Sequence, residues 1–291
     1  MAFLDLTPAL QEQLRSWLAE DLGRGDLTAP ALTGLQGRGH WLAKQDGVFC
    51  GGVLVEPQFR LLDPDLRVNL LVADGTAIRA GQTLLELEGS AAALVAGERT
   101  ALNLAMRLSG IATATRALVE LLAGSGVALA DTRKTTPGLR VLEKYAVRCG
   151  GGINHRLGLD DAAMLKENHL AWAGGVGPAI TAIRAASPWP SSVIVEAETA
   201  AEALAAVAAG ADGVLLDEFS PEVLHQLVPQ LRQEAARLAR SLVLEASGVQ
   251  PEQRAAYAAT GIDLISTSAP ITRSPWLDLS MRFDADGVGA G

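Results

Sequence analysis

The order of apolar and polar positions divides the chain into two textures. Near the start, Leu10, Leu14, Trp17 and Leu18 recur at helical spacing behind Pro8, which predicts a helix over residues 8 to 20. "EDLGRGDLT" follows, with Gly23 and Gly25 as stop and turn signals. Residues 38 to 89 read as β-rich, with glycine-containing turns in "KQDGVFCGG" and "VADGTAIRAGQ". A long helical stretch is expected from about Ala91 to Leu122, broken near Gly110.

From Val127 the pattern changes. Short apolar runs end in a polar or charged residue, and a helix follows. The runs are "VALAD", "AAML" ending at Lys166, "SVIV" at Glu196, "GVLL" at Asp217, "LVLEASG", and "IDLIST" near Ser266. Between them lie "LRVLEKYAVRC", an Ala-rich helix over 199 to 209, "SPEVLHQLV" and "PEQRAAYAATG". Uninterrupted apolar runs are what parallel strands buried on both faces look like. About six such β-then-α units predict a parallel sheet with right-handed crossovers. A full eight-unit barrel takes about 250 residues and only about 150 remain here, so an incomplete, open α/β barrel is expected. A flat Rossmann-like sheet is the alternative.

In a barrel the strand ends meet at one mouth. Here they carry Arg133 and Lys134, then Lys166, Glu196, Asp217, Ser247, and Ser266 to Ser268. Each alone reads as a solvated loop residue; one fold would gather them all. Charge sharpens this. The chain has a formal net charge of -9, which argues against general nucleic-acid binding. Yet Asp131 to Lys166 holds seven Lys or Arg against four acids. Arg140, Lys144 and Arg148 are expected on the wet face of their helix. "TRK" and "NHR" fall in loops, where guanidinium forks suit a small polyanion. Glu196 and Asp217 supply the opposite sign and suit Mg²⁺ held through water, or sugar hydroxyls. Together these suggest phosphate or pyrophosphate chemistry.

Other signals add less. Hydrophobic residues at 49% allow a sizeable core. Cys50 and Cys149 form neither a CxxC pair nor a zinc spacing, so reduced thiols are expected. The N-terminal Asp5, Glu12 and Arg15 do not suit a signal peptide, and no apolar run reaches the roughly 18 residues of a membrane span. A cytoplasmic protein is therefore expected. "CGGGINHRLG" follows a helix rather than a strand, so its glycines are expected to end that helix rather than to bind a dinucleotide. Cys149 is expected to be a core thiol, His40 and His225 isolated residues, and His169 a support for its neighbours.

The stretch "DTRKTTPGLRVLEKYAVRCGGGINHRLGLDDAAMLKENHL" resembles the signature region of the quinolinate phosphoribosyltransferases. "EDLGRGDLT", "GERTALNLAMRLSGIAT", "LLDEF" and "LEASG" follow that family's order, so the resemblance covers nearly the whole chain. It implies an N-terminal α/β sandwich-like domain over residues 1–110, joined by the tail 271–291, and an incomplete α/β barrel over 111–270. It implies a homodimer or a hexamer of dimers. It also implies transfer of phosphoribosyl from phosphoribosyl pyrophosphate (PRPP) to quinolinate with decarboxylation, Mg²⁺ accompanying PRPP.

By position, the resemblance places Arg133, His155, Arg156 and Lys166 around the quinolinate carboxylates, with Arg99 arriving from the partner subunit, and makes Thr132 a substrate-binding residue. Lys134 would contact PRPP. Glu196 and Asp217 would hold ribose hydroxyls and Mg²⁺, and Lys134, Lys166, Glu196 and Asp217 would form the catalytic set. Ser247, Gly248 and Val249, with Thr267, Ser268 and Ala269, would cradle the 5′-phosphate through backbone donors. Ile194, Glu218, Val249, Ser268 and Arg273 depart from the family's usual Glu, Asn, Gly, Gly and His. A molybdenum-transport-associated relative on the same fold and a non-catalytic anion-binding protein are the alternatives.

Overall fold

The computed structural model describes residues 2–284, so the last part of the expected tail, 285–291, lies outside the described residues. In chain order the strands are β1 (Gln36–Ala43), β2 (Gly47–Val48), β3 (Arg67–Leu70), β4 (Ala77–Ile78), β5 (Thr83–Ser90), β6 (Ala128–Ala130), β7 (Ala163–Leu165), β8 (Val193–Ala197), β9 (Gly213–Asp217), β10 (Val243–Ser247), β11 (Leu264–Ser266) and β12 (Leu279–Phe283). The helices are α1 (Pro8–Leu22), α2 (Val55–Phe59), α3 (Ala91–Glu120), α4 (Arg140–Cys149), α5 (Glu167–Ala173), α6 (Val176–Ala186), α7 (Ala200–Ala208), α8 (Pro221–Arg237), α9 (Arg254–Ala258) and α10 (Ala269–Thr272). They fall into two compact units.

The first unit runs to Arg116, takes in Leu142–Gly151 and resumes at Arg273. Leu142–Gly151, which the sequence reading put in the barrel, thus packs here. Helix α1 starts where Thr7 Oγ1 accepts the Leu10 amide at 3.3 Å and Pro8 presets the first turn, and it buries Leu10, Leu14 and Leu18. An antiparallel sheet runs β12-β1-β5-β3, so the C-terminal strand pairs with β1, Met281 opposite Trp41. Alternating burial along β5 sends Leu85 and Leu87 into a core with Trp41, Phe49, Phe59, Leu94 and Leu102.

Helix α3 is not broken at Gly110, contrary to expectation. That glycine serves close packing instead: a Cβ there would lie 2.0 Å from the Pro275 carbonyl oxygen. Helix α4 corrects a second expectation. Lys144 is 1% exposed rather than on a wet face. Leu142 through Val147 are all buried, so this segment has no solvent side for Lys144 to occupy. Its neighbour Glu143 accepts from Arg107 Nη2 at 2.8 Å.

The second unit holds Ala117–Val141 and Gly152–Thr272. Its six strands lie in the order β6-β11-β10-β9-β8-β7, every pairing parallel. From β7 to β11 the order is monotonic. A doubly wound sheet would reverse at a switch point, so the flat alternative is excluded and the winding is that of a barrel. Strands β6 and β7, consecutive in sequence, stand at opposite ends of this order, which leaves the barrel open. The core is aliphatic, with Val195, Val214, Leu216, Leu244 and Ile265 from the strands and Ala203, Leu224 and Leu231 from the helices. No helix among the described residues is long and apolar enough to cross a membrane.

Candidate active site

Parallel register builds the site row by row. Glu196 pairs laterally with Leu215, and Leu215 with Glu245, which makes one row across β8, β9 and β10. Two residues further along, Asp217 pairs with Ser247. Side chains two apart on a strand share a face, so both rows point into the same space. A cleft of about 410 Å³ opens there, within the usual range for a small-ligand site. Nine expected residues line it: Thr132, Arg133, Lys134, His155, Arg156, Lys166, Glu196, Asp217 and Ser247.

Two loops bring in the cations, and buried polar contacts fix both. Asp131, 2% exposed, accepts the His155 amide at 2.8 Å and the Asn154 side-chain amide at 2.7 Å. Arg140 donates to Thr135 Oγ1 at 3.0 Å and to the Leu157 carbonyl at 3.1 Å, so it ties the loops together rather than facing water. Thr132 Oγ1 accepts the Lys134 amide at 3.0 Å and sets the turn that presents "TRK". The glycines after α4 do end that helix: Gly150 donates to Ala146 O, and Gly151 takes φ 96°.

The charges are unevenly compensated. Lys166 Nζ is ion-paired with Glu196, and Ser247 Oγ donates to Asp217. Arg156 Nη1 donates to the Ala162 carbonyl at 2.8 Å. Burial, and then the charge of Arg133, lowers the Arg156 guanidinium's proton affinity. A site that destabilises its own cations is one an anion would relieve.

Six expected residues do not line the cleft. Arg99 is exposed on α3, in the first unit. Val249 is buried in the second unit's core. Gly248 is exposed at φ 75°, where glycine is favoured. The Thr267 amide is spent on Ala130 O at 3.0 Å, and the Ala269 amide on Thr267 Oγ1 at 3.2 Å. Ser268 is not among the positive-φ residues, so its backbone needs no glycine; its carbonyl accepts from the Ile271 and Thr272 amides. Glu218 does stand at φ 56°, a conformation asparagine tolerates better than glutamate.

Two models of known domains match. The description "quinolinate phosphoribosyl transferase, N-terminal domain" fits residues 26–109, and "C-terminal domain" of the same fits 111–282. The chain belongs to the quinolinate phosphoribosyltransferase family. A probable nicotinate-nucleotide pyrophosphorylase [carboxylating] of Synechocystis is 47% identical over 273 residues, 93% of this chain and 91% of the relative. The Mycobacterium leprae nicotinate-nucleotide pyrophosphorylase [carboxylating] is 40% identical over 271 residues, 90% of this chain and 92% of the relative. The crystal structure of NadC from Streptococcus pyogenes superposes with a TM-score of 0.88 at 37% identity, covering 96% of this chain and 98% of that one.

Within this family fold, Ser266, one of the expected strand-end residues, also lines the cleft, and so do Met164, Leu215 and Glu245, to which sequence reasoning gave no role. A signal was present for these three. Met164, Leu215 and Glu245 each precede an expected residue by two positions (Lys166, just past the end of β7, Asp217 and Ser247), and period two puts both on one face.

The histidines outside the cleft have local partners or none of note. His169 Nδ1 accepts the Lys166 amide at 3.2 Å, His40 pairs with Asp284, and His225 is exposed. The two cysteines meet in the first unit. Cys50, Asp74 and Cys149 have ligand-type atoms within 4.8 Å of one another. Asp74 already accepts from the Gly51 and Gly52 amides and Tyr145 Oη, each at 2.9 Å. Burial pushes the Cys50 thiol up, which keeps it a hydrogen-bonded core thiol beside Cys149.

Proposed function

We infer that the protein transfers phosphoribosyl from PRPP to quinolinate with loss of carbon dioxide, giving nicotinate mononucleotide and pyrophosphate for NAD synthesis. The observation that carries this is the cleft at the strand ends, where Arg133, Lys134, Arg156 and Lys166 stand beside Glu196, Asp217 and Glu245. Arg133, Arg156 and Lys166 take the two quinolinate carboxylates, with Thr132 beside them, and His155 stands next to them with its ring held by the Arg156 amide and Glu245. Lys134 takes the pyrophosphate. Glu196 and Asp217 face the ribose.

The quinolinate ring nitrogen attacks the anomeric carbon, and the bond to pyrophosphate breaks with its electron pair leaving on oxygen. Fixed cations stabilise the leaving group, and fixed carboxylates the oxocarbenium-like sugar. The quaternised nitrogen then accepts charge as the adjacent carboxylate departs, and a proton from water replaces it on carbon. No general base is required.

Glu196 and Asp217 also suit Mg²⁺. Two carboxylates alone are no closed cage. They suit an ion that brings water and phosphate oxygens as most of its shell. When bound, the ion neutralises charge on the leaving pyrophosphate.

Arg99 and Val95, one turn apart on α3, are both exposed, as residues of a subunit contact would be before assembly. The reading is a homodimer in which Arg99 closes the partner's quinolinate pocket, working in the cytoplasm. Carboxyl-labelled quinolinate should release labelled carbon dioxide only when PRPP and Mg²⁺ are both present. Release without PRPP, or none with both, would overturn the reading.

A further inference from the structure

Glu245 has no part in the chemistry above, yet it is the most conspicuous polar group in the cleft wall. It sits in mid-strand on β10, 3% exposed. Its Oε2 lies 3.2 Å from His155 Nε2. His155 Nδ1 accepts the Arg156 amide at 2.7 Å, so the ring proton belongs on Nε2 and is donated to Glu245. The other oxygen, Oε1, is buried with no hydrogen-bond partner. Burying an unpaired carboxylate oxygen costs stability that leucine would not. The other two carboxylates of the cleft each have a side-chain partner, Glu196 in Lys166 and Asp217 in Ser247.

We propose that Glu245 positions the pyridine diacid. Its carboxylate clamps His155 as the Nε2–H tautomer, and its unpaired oxygen presents a fixed negative wall. A diacid then seats its carboxylates on Arg133 and Arg156 and turns its ring edge toward Glu245. This rests on the proposed reading of the cleft. The wall opposes binding of a dianion in general, but it favours the one orientation in which positive charge grows on the ring.

The test uses quinolinate together with phthalate, a benzene-1,2-dicarboxylate that has both carboxylates and no ring nitrogen. Glu245→Gln keeps the size and an acceptor for His155 and removes the charge. Phthalate and quinolinate should bind it at least as tightly as wild type, with PRPP affinity unchanged. The kcat for quinolinate should fall on the order of tenfold or more. Tighter binding with slower turnover is a split that mere structural damage does not produce. Weaker phthalate binding, or an unchanged kcat, overturns the proposal. The phthalate arm stands even if wild type fails to turn over quinolinate, so the two readings fail separately. Nitrogen-15 spectra of wild type, with His155 assigned through His155→Gln, should show the Nε2–H tautomer. An Nδ1–H tautomer overturns the clamp without requiring any Glu245 variant to fold.

Discussion

Asp131 accepts the backbone N–H of His155 at 2.8 Å through one oxygen and the Asn154 side-chain amide at 2.7 Å through the other. The carboxylate of "ADTRK" is therefore not a ligand group. It joins the loop after β6 to the loop carrying His155 and Arg156, so the cations of both meet at one cleft.

Asp131→Ala should remove the buried acceptor of both hydrogen bonds, at roughly 2–5 kcal/mol of stability. Turnover should fall with it, because His155 and Arg156 lose their register. Urea unfolding beside steady-state kinetics checks this. A variant that keeps wild-type stability and loses only activity would make Asp131 a ligand group after all.

Arg133→Gln should behave in the opposite way. It relieves the charge that lowers Arg156's proton affinity, so stability should hold or rise. Quinolinate binding should weaken by roughly 2–5 kcal/mol, since a desolvated fork is lost. Asp217→Asn should instead act on turnover and on PRPP binding. Calorimetric titration of each variant with each ligand separates them, and two indistinguishable profiles would contradict the assignment.

Much of this site is legible in the chain because buried parallel strands advertise their own ends. An apolar run that stops at Lys166, Glu196 or Asp217 marks where the backbone leaves the sheet. Met164, Leu215 and Glu245 were hidden by the same rule, since inside such a run a residue facing the cleft looks like one facing the core. Only counting back by two from the strand end separates them. Lys144 shows a different limit. A helical wheel reports which positions share a face, and cannot report that α4 is buried on nearly every side. Gly110 likewise reads as a breaker until the Pro275 carbonyl against it is known.

Asp74 supplies a pH dependence. Burial raises its pKa from the ordinary carboxylate value near 3.8, against the hydrogen bonds from Gly51, Tyr145 and Gly52 that lower it. Between the ordinary and the raised value the folded state holds a proton that the unfolded state has released. Stability from this group is therefore fully present below the ordinary value and is lost as pH rises through the folded one. The unfolding free energy of wild type minus that of Asp74→Asn should fall as pH rises from about 4 toward neutrality. A difference that grows with pH would contradict the sign.

Exposed Arg99 on α3 gives a test of shared sites. Arg99→Ala and Lys134→Ala chains should each be nearly inactive. Random reassortment into two-fold dimers should restore about a quarter of the sites, since half the dimers are mixed and each of those has one intact site. No recovery after verified subunit exchange would mean that Arg99 serves its own chain or none.

The central claim is that the cations gathered at the strand ends read two carboxylates rather than one. Its most direct measurement compares kcat/KM for quinolinate and for nicotinate, with PRPP and Mg²⁺ saturating. Nicotinate lacks one carboxylate and would leave part of the Arg133, Arg156 and Lys166 cluster unpaired, so it should be poorer by orders of magnitude, on the order of 10²-fold or more. Equal turnover of the two acids would contradict the account.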